Sequence, residues 1–263
     1  MLRKDNPYSP GAGRKPVAMN EIVRKRKSIR KYDPAKLDAS TLEKTREQIE
    51  SIIALYPDIR YSIEIADKAS GLVNVKAPHY LRFGSEEREG AFENIGFIGQ
   101  QMDLYFSDSG LGSCWLGMGK VEGKDESSLP YVISMAFGKP AEPLHRDITG
   151  FNRKALADIS AGADVRLEAA RLAPSARNKQ GWYFIAEGGN IHCFREKQGG
   201  LLGSVMDKLG AIDIGIALYH IASETDGFRF ASEGSPDMPG ALGSGDAPKG
   251  FIYIGTVLGA EAA

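Results

Sequence analysis

The chain has 263 residues, a formal net charge of −1, a pI near 6.5 and 42% apolar residues. This length and apolar content suit one large domain or two intimate ones. The near-zero charge argues against a nucleic-acid-binding protein that works through bulk positive charge. No apolar run approaches the ~18 residues of a membrane span, and the start of the chain lacks the apolar core of a signal peptide. The two cysteines, in dissimilar contexts, indicate no disulfide framework, so we expect a cytoplasmic protein.

The first elements in chain order are an irregular, proline- and glycine-containing arm over residues 1–20 and a short basic helix over Glu21–Lys27. A helix expected to begin at Ser40 or Thr41 comes next. The periodicity then predicts two strands, a long buried helix and a core strand. Together with the helix that begins near Ser40, these elements cover Thr41–Leu55, Arg60–Ile65, Val75–Phe83, Phe92–Ser109 and Val132–Phe137.

A second set of elements follows the same plan. It consists of a helix, two strands, a second buried helix and a final core strand, over Val165–Leu172, Trp182–Ala186, Ile191–Arg195, Lys208–Thr225 and Phe251–Gly259. Pro57 and Pro174 are 117 residues apart, and so are Gly110 and Gly227, which are predicted to cap the two buried helices. A fixed offset is typical of a tandem duplication, although helix–strand alternation is common enough to produce two equal offsets by chance. We favour duplication, with α/β repeats over residues 21–155 and 156–263.

A polar turn over Ala173–Trp182 separates the first helix of the second repeat from its first strand. Pro174 should end the helix, because its ring cannot continue the hydrogen-bond ladder. Ser175 and Asn178 then place short polar side chains beside freed backbone N–H groups. These residues alone leave two interpretations open. The turn either simply connects the helix to the strand, or it forms a pocket wall that presents hydrogen-bond donors to a flat, polar, partly anionic ligand.

The sequence Leu-Ala-Pro-Ser-x-x-Asn-x-Gln-x-Trp of this turn resembles the flavin-contacting turn of the nitroreductase family of FMN-dependent oxidoreductases. One departure is Gly181, which stands where the family usually has proline. The resemblance implies an α+β, nitroreductase-like fold. It also implies that the turn contacts the cofactor through Pro174, Ser175, Ala176 and Asn178.

The run of basic residues over Arg24–Lys31 would ordinarily form a solvated surface. Guanidinium groups also match phosphate oxygens, and a serine hydroxyl adds a neutral donor. The run resembles the family's N-terminal Arg-x-Ser-x-Arg/Lys-x-aromatic motif. That resemblance implies that the FMN phosphate and ribityl chain are held by Arg26, Lys27, Ser28 and Arg30.

The segment Leu111–Gly119 has neither the spacing of a P-loop nor that of a nucleophile elbow. It resembles the family's Gly-Leu-Gly-x-x-Trp-(Ile/Leu)-Gly strand, which implies that three residues lie at the flavin ring: Trp115, Leu116 and Gly117. A basic pair further along resembles the family's C-terminal tail. This pair, Arg153 and Lys154, would complete the phosphate site.

Family members are homodimers with FMN at the subunit interface, each flavin held by motifs of both subunits. In this chain the first repeat has the phosphate motif but lacks the turn, and the second repeat has the turn but lacks the phosphate motif. The resemblance therefore implies an internal pseudo-dimer, monomeric in solution, with one intact FMN site and one decayed site. The Gly/Pro-rich segment Pro236–Gly250 is expected to fill the decayed site and not to act as a lid.

By the same resemblance, NAD(P)H would pass hydride to flavin N5, and a nitroaromatic, quinone or similar small acceptor would then be reduced. No side chain needs to act as a catalyst, and no metal, membrane or nucleic-acid site is expected, since the four histidines show no metal-ligand spacing. Two alternatives stay open. One is a flavin carrier or redox sensor without turnover, and the other is a degenerate, cofactor-free binding protein on the same fold.

Overall fold

The computed structural model describes residues 17–71, 75–122, 129–199, 203–232 and 248–259. These residues form two compact units. The N-terminal unit comprises residues 21–152, and the C-terminal unit comprises those from 153 onward together with 17–20. Most of the segment Pro236–Gly250 lies outside the described residues, and so does its predicted role. In the described part of the chain, no helix is both long enough and apolar enough to cross a membrane.

The N-terminal unit is organised around one long buried helix and a four-stranded sheet. Strands β1, β3, β6 and β4 form the sheet in that order, all antiparallel, while β2 and β5 pair separately. Helix α3 is apolar on most faces, as predicted, and nearly all its side chains are buried. The bounds are α1 (Val17–Lys25), α2 (Ala39–Glu50), β1 (Tyr61–Ala66), β2 (Lys68–Gly71), β3 (His79–Ser85), α3 (Ala91–Asp108), β4 (Gly112–Leu116), β5 (Gly119–Glu122) and β6 (Tyr131–Gly138).

The C-terminal unit has a sheet of order β10-β11-β9-β8-β7, antiparallel except for the short parallel pair β7–β8. Its long helix α6 is buried over most of its length, and His220 on that helix bonds the carbonyl oxygen of Ala169 at 2.9 Å. The bounds are α4 (Leu156–Ile159), β7 (Ser160–Ala161), α5 (Leu167–Leu172), β8 (Trp182–Glu187), β9 (Asn190–Glu196), α6 (Gly203–Ser223), β10 (Phe230–Ala231) and β11 (Phe251–Val257).

The two units share one chain plan. In each unit, two antiparallel strands precede the long helix. The first long strand after the helix lies at the edge of the sheet, or is replaced there by a short strand, and the last strand of the unit lies between this edge strand and the first two strands. The order β1-β3-β6-β4 thus corresponds to β8-β9-β11-β10. Gly110 and Gly227 follow the two long helices with φ of 81° and 61°, a conformation that glycine adopts without strain.

Two helix boundaries correct the sequence predictions. The basic helix begins at Val17 and ends at Lys25, so the last four residues of the predicted irregular arm are helical. Helix α2 is capped by Asp38, not by Ser40 or Thr41, because the Asp38 carboxylate accepts the Thr41 amide hydrogen at 2.8 Å.

Candidate functional site

A buried ion pair fixes the start of the predicted phosphate motif. Arg26 is 1% exposed, and its Nε and Nη2 lie 2.9 and 3.2 Å from the two carboxylate oxygens of Asp103 on α3. The Ser113 hydroxyl donates to the same carboxylate at 2.7 Å. Among the described residues, Nη1 of Arg26 has no hydrogen-bond partner. The fold therefore holds this guanidinium in place, with one buried nitrogen that has no acceptor among the described residues.

Two more guanidinium groups lie near this ion pair. Arg30 is exposed, and Arg146 is half-buried with its guanidinium 4.4 Å above the Phe151 ring. Burial lowers the pKa of Arg146, and the positive charges of Arg26 and Arg30 lower it further. Three cations thus share a partly desolvated region in which Asp103 supplies one negative charge. Such an excess of positive charge favours binding of an anion.

The other residues of the motif are in contrasting environments. Lys27 lies 3.5 Å from the Glu142 carboxylate, which also accepts the backbone N–H of Arg30 at 2.8 Å. That backbone hydrogen bond is the main reason why the pKa of Glu142 is lowered. Ser28 accepts a hydrogen bond from Arg26 Nη2 at 3.3 Å. Beside them, burial raises the pKa of the Cys114 thiol, against the opposing effect of Arg30 and Arg26.

Trp115, predicted to lie at the flavin ring, packs within its own unit. Its ring stacks on Phe83 with centroids 5.6 Å apart, and Nε1 donates to the Gln100 side chain at 3.2 Å. The ring also lies against Gly99, where an added Cβ would come within 2.2 Å of it. The indole thus packs the helix α3 against the sheet. Of its two predicted neighbours, Leu116 is buried and Gly117 is exposed at the end of β4.

The polar turn after α5 has an unusual backbone. Pro174 is buried just after the helix end, as predicted. Arg177, Asn178 and Gln180 have φ of 54°, 56° and 47°, in the left-handed region. Asparagine adopts this conformation readily, whereas the other two residues rarely do. Each strained residue costs on the order of 1–3 kcal/mol, so the surrounding contacts must hold the turn in shape.

Hydrogen bonds of three side chains provide that support. Both carboxylate oxygens of Asp213, on α6, accept the Ala176 N–H, at 2.9 and 3.0 Å. The Ser175 hydroxyl accepts the Gln180 N–H at 2.9 Å, which closes the turn on itself. The buried Gln180 amide also donates to the Arg171 carbonyl at 2.9 Å. The turn is therefore tied to both α5 and α6.

The structure joins the predicted basic tail to this turn. Arg153 Nη1 donates to the Asn178 side-chain oxygen, and its Nη2 donates to the Leu172 carbonyl at 3.2 Å. Lys154 donates through its backbone N–H to the Gln180 side chain at 2.7 Å and through Nζ to the Gln180 carbonyl at 3.1 Å. Two motifs that are 20 residues apart in the sequence thus form one polar assembly in the C-terminal unit.

Asp213 has a perturbed carboxyl group. It is 7% exposed, and burial raises its pKa to about 7, while the Ala176 N–H and the Lys179 charge act in the opposite direction. It lies on one face of a cavity within the C-terminal unit.

Sequence reasoning missed Asp103, Arg146 and Asp213. The two aspartates lie on helices that are buried over most of their length, so an acidic residue at a predicted core position was the available signal. Arg146 follows β6 in an irregular segment and belongs to no recognised motif, and no local signal marks it.

Comparison with known proteins identifies the family. A family model described as "Putative TM nitroreductase" matches residues 18–224. The chain belongs to this nitroreductase family. A putative nitroreductase from Thermotoga maritima MSB8 has the same fold, with a TM-score of 0.55 and 20% identity over 82% of this chain and 87% of that one. The predicted α+β, nitroreductase-like fold is thereby confirmed.

Other solved structures are more distant. A nitroreductase family protein from Clostridium difficile 630 is 16% identical over 53% of this chain and 94% of its own, with a TM-score of 0.42. An FMN-dependent nitroreductase from Clostridium difficile R20291 is 14% identical over 50% and 93%, with a TM-score of 0.37. Likeness at this level carries no argument about this chain. No match was found among curated proteins.

Proposed function

We propose that this nitroreductase-family protein is an FMN-dependent NAD(P)H oxidoreductase that holds one FMN per chain. The observation that carries the proposal is the group of three guanidinium side chains, Arg26, Arg30 and Arg146, in which Asp103 pairs with Arg26 while Glu142 pairs with Lys27. A phosphate monoester carries the negative charge and the acceptor oxygens that guanidinium groups bind. The proposed phosphate site consists of Arg26, Ser28, Arg30 and Arg146.

Within that site the residues would play different parts. Asp103 holds Arg26 in place, so the free Nη1 can donate without a loss of side-chain entropy on binding. The exposed Arg30 and the half-buried Arg146 would supply charge-assisted hydrogen bonds. Lys27 is paired with Glu142 and would contribute mainly long-range charge.

The turn of the C-terminal unit would supply the second set of cofactor contacts. The Ser175 hydroxyl accepts one hydrogen bond and keeps its own proton for donation, and Arg153 orients the Asn178 side chain. When bound, FMN supplies the redox chemistry, in which hydride from NAD(P)H reduces the flavin before a small acceptor such as a nitroaromatic or quinone is reduced. The protein's part is to hold and orient the cofactor.

The proposed stoichiometry of one FMN per chain is based on the different cofactor motifs of the two units. Their common topology supports an origin by duplication, and each unit carries a different half of the cofactor motifs. We propose that the chain works as a monomer with an internal pair of repeats. Light scattering should find the mass of one chain, and a dimer that persists at nanomolar concentration would contradict this reading.

The decisive experiment is an absorbance titration of the purified protein with FMN, followed by anaerobic addition of NADPH. We expect one flavin per chain and bleaching of its absorbance, restored by an acceptor. A flavin that binds but stays oxidised would favour a carrier or sensor. A protein that stays colourless at saturating FMN would favour a cofactor-free binding protein, and two equivalent flavins per chain would contradict the single-site proposal.

A further inference from the structure

The C-terminal unit contains a cavity of about 410 Å³ that is built from α6 and the strained turn. This volume lies within the range of small-molecule sites. One wall consists of Met206, Leu209, Gly210 and Asp213 on α6. Turn residues and Gln198 form the rest: Ala176, Arg177, Lys179 and Gly181.

Apart from Asp213, the wall formed by α6 is apolar and open. Met206, Leu209 and Gly210 recur at the three- and four-residue spacing that places side chains on one helix face. A Cβ added at Gly210 would meet no atom within 4 Å, so the missing side chain leaves room beside the cavity. Such a surface accepts the flat or hydrophobic body of a ligand.

The charged side chains that line the cavity differ in their exposure to solvent. The Asp213 carboxyl is 7% exposed, and the donor it has among the described residues is the backbone N–H of Ala176, which both oxygens share. A carboxylate offers about four acceptor positions, so Asp213 can accept a further hydrogen from a ligand. Arg177 and Lys179 are exposed. The cavity thus has an acceptor at its buried end and two cations at its open end.

The two cations differ in their partners. Lys179 lies 3.0 Å from the Glu196 carboxylate and donates to the Gln198 side chain at 2.7 Å. Arg177 makes no ion pair with a carboxylate of the described residues, and its left-handed backbone is held by the rest of the turn. An anionic group at the open end would therefore bind Arg177 first.

We infer that this cavity is a binding site for a small aromatic carboxylate with an N–H or O–H donor on the far side of its ring. The donor would meet Asp213, the ring would lie against Leu209 and Gly210, and the carboxylate would pair with Arg177. Ala176 belongs both to this cavity and to the proposed flavin turn, so the two sites would adjoin. The inference does not depend on whether FMN binds.

Three probes test this arrangement by isothermal titration calorimetry with the full chain, with and without FMN. 4-Aminobenzoate has both groups, benzoate lacks the donor, and aniline lacks the anion. We expect 4-aminobenzoate to bind at least about tenfold more tightly than either of the others, since each of the others lacks one hydrogen bond or ion pair to a polar group of the cavity. Absence of binding at millimolar concentration, or equal affinity for all three probes, would overturn the inference.

Two variants locate the site. Gly210→Leu places a side chain in open space, so the fold should persist while affinity for 4-aminobenzoate falls at least tenfold. Arg177→Asn keeps a residue that tolerates the left-handed backbone and should weaken both benzoates but not aniline. Unchanged affinity in Gly210→Leu with an unchanged melting temperature would show that the probe binds elsewhere. If FMN displaces 4-aminobenzoate, the cavity belongs to the flavin site and the separate assignment is wrong.

Discussion

The long helices of the two units each carry a buried aspartate, and the two carboxylates are balanced in different ways. Asp103 on α3 faces a guanidinium within salt-bridge distance. Asp213 on α6 accepts the backbone N–H of Ala176, and the positive charge of Lys179 opposes the rise of its pKa. Both anchor a segment with predicted cofactor contacts. The long helices of a shared chain plan thus carry an ion-paired carboxylate in one unit and a carboxyl group with a raised pKa in the other.

The largest effect is expected when the Asp103 charge is removed. Asp103→Asn would leave Arg26 buried and uncompensated, a change that typically costs about 3–5 kcal/mol. The measurement is the free energy of unfolding from urea denaturation at pH 7. The matched control is Asp213→Asn, which replaces a buried carboxyl group that forms no ion pair with the described residues and should cost much less. Equal losses in the two variants would contradict the contrast between the helices.

The second prediction concerns the pH dependence of stability. Burial raises the pKa of Asp213 to about 7, above its ordinary value near 4, so the folded state keeps a proton that the unfolded state has released. The contribution of this group to stability is therefore full below about pH 4 and is lost as the pH rises to about 7. The loss is on the order of 4 kcal/mol at most.

Asp213→Asn should remove this pH dependence. We expect the free energy of unfolding of the variant, relative to the parent, to rise between pH 5 and pH 8. Carboxylates with a lowered pKa, such as Asp164 and Asp207, have the opposite dependence, present in both proteins, so the difference isolates Asp213. A constant difference across this range would show that the Asp213 pKa is not raised.

The sequence predicted most of the fold because its strongest signals are local. Long apolar periodicity located α3 and α6, and the glycines after them marked their ends. The resemblance of four short motifs identified the family. Neither signal could show that Arg26 is buried against Asp103, because that pairing joins residues 77 positions apart. Likewise, the left-handed residues of the turn are supported by the Asp213 carboxylate, which accepts the Ala176 N–H from 37 positions away and which no local pattern encodes.

The third prediction separates the phosphate group from the rest of the flavin. Arg30→Ala and Arg146→Ala should each weaken FMN binding about tenfold, since each removes a charge-assisted hydrogen bond. Riboflavin, which lacks the phosphate, should be almost unaffected. Lys31→Ala is the matched control, because it removes an exposed positive charge beside Arg30 from outside the proposed site. Equal losses for FMN and riboflavin would rule out a phosphate contact.

Two helix glycines extend the comparison of α3 with α6. Gly99 on α3 lies against Trp115, and a Cβ there would come within 2.2 Å of the indole ring. The ring cannot easily yield, because it stacks on Phe83 and donates to Gln100. Gly99→Ala should therefore destabilise the protein by about 1–3 kcal/mol, the usual effect of overpacking. Thermal unfolding measures it, and a variant as stable as the parent would show that the ring is free to move.

The same substitution in α6 should have the opposite sign and the smallest effect. Gly210 lies inside α6, and a Cβ there meets no atom within 4 Å, so no contact opposes alanine. Alanine loses less backbone entropy than glycine in a helix, and Gly210→Ala should stabilise the protein by up to about 1 kcal/mol. The methyl group would take up only part of the cavity, so 4-aminobenzoate should bind more weakly than in the parent but more tightly than in Gly210→Leu. A destabilised Gly210→Ala variant would mean that this face of α6 is packed, and the proposed ligand site would lose its open wall.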